Sequence, residues 1–166
     1  SPSSASKPKG TKLELQATCY DKSGKVVRCS DDLQWGSEND FAVDVTSLGI
    51  HGDGYGKAEL HFRNLGTAKV NAWIEGVAEG SGTYTTIPGP SLSLIPSSYD
   101  IVRGEPSRLT WTTANATSCV ASSSPSYAGW NGSKPVNDVQ DVYPLETTTF
   151  SMICSGPGGT TDPVSV

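Results

Sequence analysis

In "GKAELHFRNLGTAKVNAWIEG" (residues 56–76), Ala58, Leu60 and Phe62 alternate with Glu59, His61 and Arg63. Beyond Asn64-Leu65-Gly66 the same period resumes, with Ala68, Val70, Ala72 and Ile74 sharing one parity. Successive side chains of a strand point to opposite faces, so this period marks half-buried β-strands. Working outward, "TKLELQATC" gives Leu13, Leu15 and Ala17, "SRLTWTT" gives Leu109 and Trp111, and "TTTFSMICSG" gives Phe150, Met152 and Cys154. No segment sustains apolar residues at the spacing of a helix face. The runs are short and lie close to Gly, Pro, Asn or Asp, as antiparallel strands do. Covering their apolar faces takes two packed sheets.

A break falls inside "TYTTIPGPSLSLIP". A strand ending at Ile87 meets Pro88-Gly89-Pro90, which joins a ladder poorly, and a new alternating run starts at Leu92. The expected domains are residues 1–88 and 89–166, with a stiff joint that favours a rod. With 166 residues, 35% hydrophobic and 17% charged, the chain is too apolar for disorder. Its net charge of −5 argues against nucleic acid or an anionic membrane surface, which both select a basic face. No stretch approaches the roughly 20 consecutive apolar residues of a membrane helix, so no membrane insertion is expected within this segment.

Four cysteines allow three connectivities. Pairing Cys19 with Cys29 closes a short loop around "DKSGK", where Ser23-Gly24 supplies a turn. Cys119 with Cys154 then ties an early strand of the second domain to a late one. A metal site built from the four is disfavoured, because no Cys-x-x-Cys spacing occurs and neither His51 nor His61 is placed to help. Paired cysteines in a Ser/Thr/Gly-rich chain point to an oxidising, extracytoplasmic compartment.

Residues 1–87 resemble a bacterial immunoglobulin-like domain of the group-2, invasin/intimin-related type. The motifs are "SPSSASKPKGTKLELQATC", "LQWGSEND" and "GKAELHFRNLGTAKVNAWIEG". Residues 90–166 are similar to an immunoglobulin-like repeat of secreted bacterial proteins, through "LTWTTANATSCVAS", "GWNGSKP", "VYPLETTTFSMICSGPGG" and "DPVSV". The resemblance implies two tandem immunoglobulin-like β-sandwiches, all-β, with no catalytic residues to carry over. It also implies use as stalks, spacers and adhesive modules on the bacterial cell surface, filaments, phage tails and secreted enzymes. Such a domain ordinarily has an apolar half-strand before its Ser-Pro and a longer last strand. The expectation is an excerpt of a longer protein, or a neighbouring subunit that supplies the missing edge by strand addition.

The candidate chemistry is sparse. No Gly-x-Ser-x-Gly or His-Glu-x-x-His occurs, and His61 lies on the solvent parity of its strand, so neither catalysis nor a cofactor is expected. Asp31, Asp32, Glu38, Asp40, Asp44 and Asp53 are the residues a calcium ion would draw on, but the EF-hand order is absent. No metal is assigned. Asn115-Ala116-Thr117 and Asn131-Gly132-Ser133 fit the glycan acceptor triplet. Trp35 and Trp111 sit on core parities. Trp73, on the parity opposite Val70, is a candidate contact residue, and so are Tyr127 and Trp130, expected to be exposed in "SYAGWNGS". They could meet other protein subunits, the preferred partner, or a polysaccharide. A pilus or filament subunit, a carbohydrate-binding accessory module and a phage tail or decoration protein are therefore the competing readings.

Overall fold

The computed structural model describes residues 4–166; the Ser1-Pro2 opening, and the half-strand question attached to it, lie outside the described residues. Among the described residues there is no helix. The chain divides into two compact units, Ser1–Ile87 and Pro88–Val166.

The first unit carries β1 (Ser4–Pro8), β2 (Lys12–Ala17), β3 (Cys19–Tyr20), β4 (Val26–Val27), β5 (Gln34–Ser37), β6 (Val43–Ile50), β7 (Gly56–Phe62), β8 (Gly66–Ile74) and β9 (Ala78–Ile87). One sheet runs β1-β9-β8-β5, the other β2-β7-β6, and β3 with β4 forms a separate hairpin. Pairing is antiparallel except between β1 and β9, which run parallel. The period seen in β7 is the burial pattern itself: Ala58, Leu60 and Phe62 are buried and the residues between them are not. Leu60 and Phe62 share a core with Leu15 and Val43 from their own sheet and Ala68, Val70 and Tyr84 from the other. Each large apolar side chain sealed there contributes roughly 1.5–3 kcal/mol. Thr86 is the polar exception, and its hydroxyl donates to the Ala42 carbonyl at 3.0 Å.

The second unit carries β10 (Ser91–Pro96), β11 (Ser107–Ala114), β12 (Ser118–Ser124), β13 (Gly132–Lys134), β14 (Asp138–Val142), β15 (Thr149–Gly156), β16 (Gly159–Thr160) and β17 (Val164–Ser165). Its sheets are β10-β11-β14 and β13-β12-β15-β16, with β17 also paired to β15. Leu94, Leu109 and Trp111 face Ala121, Phe150 and Met152 across the core. Pro88 belongs to this unit because Gly158 lies directly against it: a Cβ at Gly158 would overlap the Pro88 carbonyl. Val166 extends the β17 pairing, exchanging backbone hydrogen bonds of 2.8 and 2.9 Å with Phe150.

Both cysteine pairs are bonded, Cys19 to Cys29 and Cys119 to Cys154. The first closes the β3–β4 hairpin. In its turn the Asp21 carboxylate accepts from the Ser23 hydroxyl at 2.6 Å and from the Ser23 and Lys25 amides, and these bonds hold its pKa below the ordinary value. The second joins directly opposed residues of β12 and β15, neighbours in one sheet.

Candidate functional site

Trp130 is a correction. Expected at an exposed tip, it is fully buried, with its ring edge-to-face with Trp111 and Phe150 at centroid distances of 5.5 and 5.6 Å. Its indole N–H donates to the Ser122 carbonyl at 2.9 Å. The loop that carries it folds back over the open side of the sandwich, where a large ring fills the core more favourably than water does. Lys134 lies 5.0 Å above the ring and donates to the Gly129 carbonyl and to Gln140; burial pulls its pKa down. Tyr127 is half-buried rather than exposed. It packs edge-to-face on Phe150, and its hydroxyl oxygen accepts the Tyr143 amide at 2.9 Å. Both therefore work inside the fold.

Trp73 lies elsewhere. The register pairs it with Gln34 on one side and Glu79 on the other, which puts all three on the outer face of the β1-β9-β8-β5 sheet. Its ring covers Gly36: a Cβ there would come within 3.0 Å of the Trp73 ring edge. Glycine on β5 is what lets the indole lie flat on the neighbouring strand, half-exposed.

Around this edge the two sheets of the first unit part, leaving an open cavity of about 650 Å³. Trp35, Val70, Ala72 and Tyr84 form one wall and Leu15 and Ala17 the other. The disulfide-closed hairpin supplies the far lip with Tyr20 and Val27. The void has a sequence cause. On β9 the inward parity that carries Tyr84 and Thr86 continues as Gly82 and Gly80, which have no side chains to fill it. Burial raises the Tyr84 phenol pKa above its ordinary value. At the mouth, Tyr20, Val27 and Val77 are 62%, 38% and 76% exposed. A pocket of this size and lining takes apolar side chains or a flat ring.

The other candidates remain apart. Asp31 pairs with Arg28 at 3.3 Å, Asp44 with Arg63, and Glu38 with Lys69 at 3.5 Å. Asp32 accepts from the Ser30 hydroxyl, and Asp53 caps the Tyr55 amide. Among the described residues no three metal-ligating side chains converge. His61 donates to the Glu59 carboxylate at 2.6 Å on the outer face of β7, where Lys12 also reaches Glu59 at 2.9 Å. That pairing lowers the Glu59 pKa, chiefly through Lys12. Asn115 holds a positive φ of 58° and donates to the Gly89 carbonyl, while Asn131 bonds Ser123 and Ser126.

No family model matches the chain, and no curated protein matches it. Among solved structures it is similar to the Escherichia coli adhesin FdeC, at 17% identity and a TM-score of 0.55 over 97% of this chain and 60% of that one. An I-band fragment of titin, I67–I69, matches at 12% identity and a TM-score of 0.51, over 98% of this chain and 60% of that one. The fold is immunoglobulin-like. Domains 5–6 of the S-layer protein SbsC also align, at 13% identity and a TM-score of 0.46 over 99% of this chain and 92% of that one. This chain spans 60% of the length of the FdeC and titin structures.

Proposed function

We propose that the chain is a non-catalytic, extracellular structural or adhesive module of a bacterial surface protein or appendage. It meets an extended segment of another protein at the cleft of the first unit. The observation that carries this reading is the continuity between the apolar cavity and the exposed Tyr20, Val27 and Val77 at its mouth. Isolated exposed apolar residues are ordinary, but a set rimming an apolar cavity marks a contact site. Gly80 leaves open space above β9, so side chains from an added strand could enter there. The bonded cysteines suit an oxidising exterior. FdeC, whose fold this chain shares, is an adhesin.

A second reading has its own observation. Half-exposed Trp73, flanked by Gln34 and Glu79, has the aromatic plane and polar neighbours that a sugar ring uses. One titration separates the two. The chain, labelled for amide NMR, is mixed with peptides of alternating apolar sequence and then with soluble glycans. On the first reading the peptides shift Ala17, Tyr20 and Gly80, and Val77→Lys abolishes the effect. Shifts confined to Trp73 on adding glycans, lost in Trp73→Ala, would replace that reading with the second.

A further inference from the structure

The outer face of the β12–β15 sheet differs from every other exposed sheet face described above. Its cross-strand pairs are Ser118 with Ser155, Val120 with Ile153 and Ser122 with Ser151. Ser133, Thr160 and Ser165 flank them on the neighbouring strands. None of these side chains ionises. The first unit, by contrast, covers β2 and β7 with Lys12–Glu59 and Lys57–Glu14 ion pairs, and the other sheet of the second unit carries Arg108–Asp141 at 2.8 Å. Charges on exposed strands keep sheets from associating. This face has none of that protection.

We propose that this face associates with the same face of a second copy of the chain. Three observations select a copy of itself over another partner. The chain carries a net charge of −5, so two copies repel wherever their acidic surfaces meet, but not here. A hydroxyl both donates and accepts, which makes a hydroxyl-covered face complementary to itself, as a two-fold interface requires. Within one copy Ser151 bonds Ser165 at 2.9 Å and Ser155 bonds Thr160 at 3.0 Å, which orients these hydroxyls along the face. Val120 and Ile153, 57% and 39% exposed, place an apolar centre inside that polar rim.

The size of the face sets the strength. β12 and β15 have seven and eight residues but β13, β16 and β17 only three, two and two, so at roughly 3.4 Å rise and 4.8 Å strand spacing each copy offers about 350 Å². The total of roughly 700 Å² falls short of the roughly 1,000 Å² of a stable specific interface, so the contact is weak and transient. Many copies on one surface would multiply it through effective concentration.

Sedimentation velocity of the whole chain from about 10 μM to about 1 mM tests this, a range that brackets weak association. The expected result is a reversible monomer–dimer equilibrium that high salt does not dissolve. Val120→Lys with Ile153→Lys should raise the dissociation constant by roughly 100-fold or more, since like charges then face each other. Both side chains are solvent-facing, so the thermal midpoint should hold; should the pair unfold the chain, Ser122→Lys with Ser151→Lys replaces it. The cleft variant Val77→Lys should dimerise normally, which separates this contact from the cleft. A wild-type chain still monomeric at the top of the range would overturn the proposal. So would a dimer that survives the lysines.

Discussion

Trp130 Nε1 reaches the carbonyls of Ser122 and Ser151 at 2.9 and 3.4 Å, and its ring closes one side of the second core. Trp130→Ala should therefore destabilise that unit by roughly 3–5 kcal/mol in urea unfolding, the usual cost of emptying a large aromatic site. A loss below 1 kcal/mol, within the ordinary range for a surface change, would contradict the burial. The sequence hid this residue because alternation speaks only inside strands, and Trp130 sits in a loop between Gly129 and Asn131. Trp111 was legible, since Leu109 beside it shares its parity in β11. A second prediction concerns Arg108, which grips Asp141 through two hydrogen bonds of 2.8 and 3.1 Å. That grip lowers the Asp141 pKa and raises that of Arg108. A lowered carboxylate pKa adds stability above the unfolded value near 3.9, and the gain is lost as pH falls through the folded pKa. Carboxyl-carbon NMR should show Asp141 titrating at higher pH in Arg108→Gln than in the parent; an unmoved titration would show that the pair is not formed in solution.

At the scale of elements, the two disulfides close loops of different length. Sequence separations of 10 and 35 residues correspond to about 2.7 and about 3.8 kcal/mol in the loop-entropy relation. Replacing Cys119 and Cys154 with alanine should thus cost about 1 kcal/mol more than replacing Cys19 and Cys29, measured by denaturant unfolding. The reverse order would mean that packing around Cys29 outweighs chain entropy. The long strands could be read from their period, as in β7 and β15. The two- and three-residue strands β3, β4, β13, β16 and β17 could not, because so few residues display no period. Nor could the sequence say that β12 and β15 are neighbours. Two cysteines can bridge sheets or adjacent strands, and only the register at Cys119 and Cys154 decides it.

At the scale of the molecule, the division at Ile87 and Pro88 predicts that residues 1–87 and 88–166 each unfold cooperatively when expressed alone. Calorimetry of the whole chain should then resolve into two transitions whose midpoints match the separate pieces. Failure of either piece to fold would refute the autonomy of the units. In the sequence this region is marked by Pro88-Gly89-Pro90. The cleft was invisible, since its walls come from Leu15, Trp35 and Tyr84, far apart in sequence and joined only by the packing of two sheets. The Cys119–Cys154 bond also fixes how far the chain can be drawn out. A pull between its ends can never straighten the residues inside that bond, which at roughly 3.4 Å each withholds about 120 Å of length. The Cys19–Cys29 bond withholds about 34 Å on the same basis. Under tension an oxidised chain is thus a short-travel tether, and single-molecule extension before and after reduction should differ by about 150 Å.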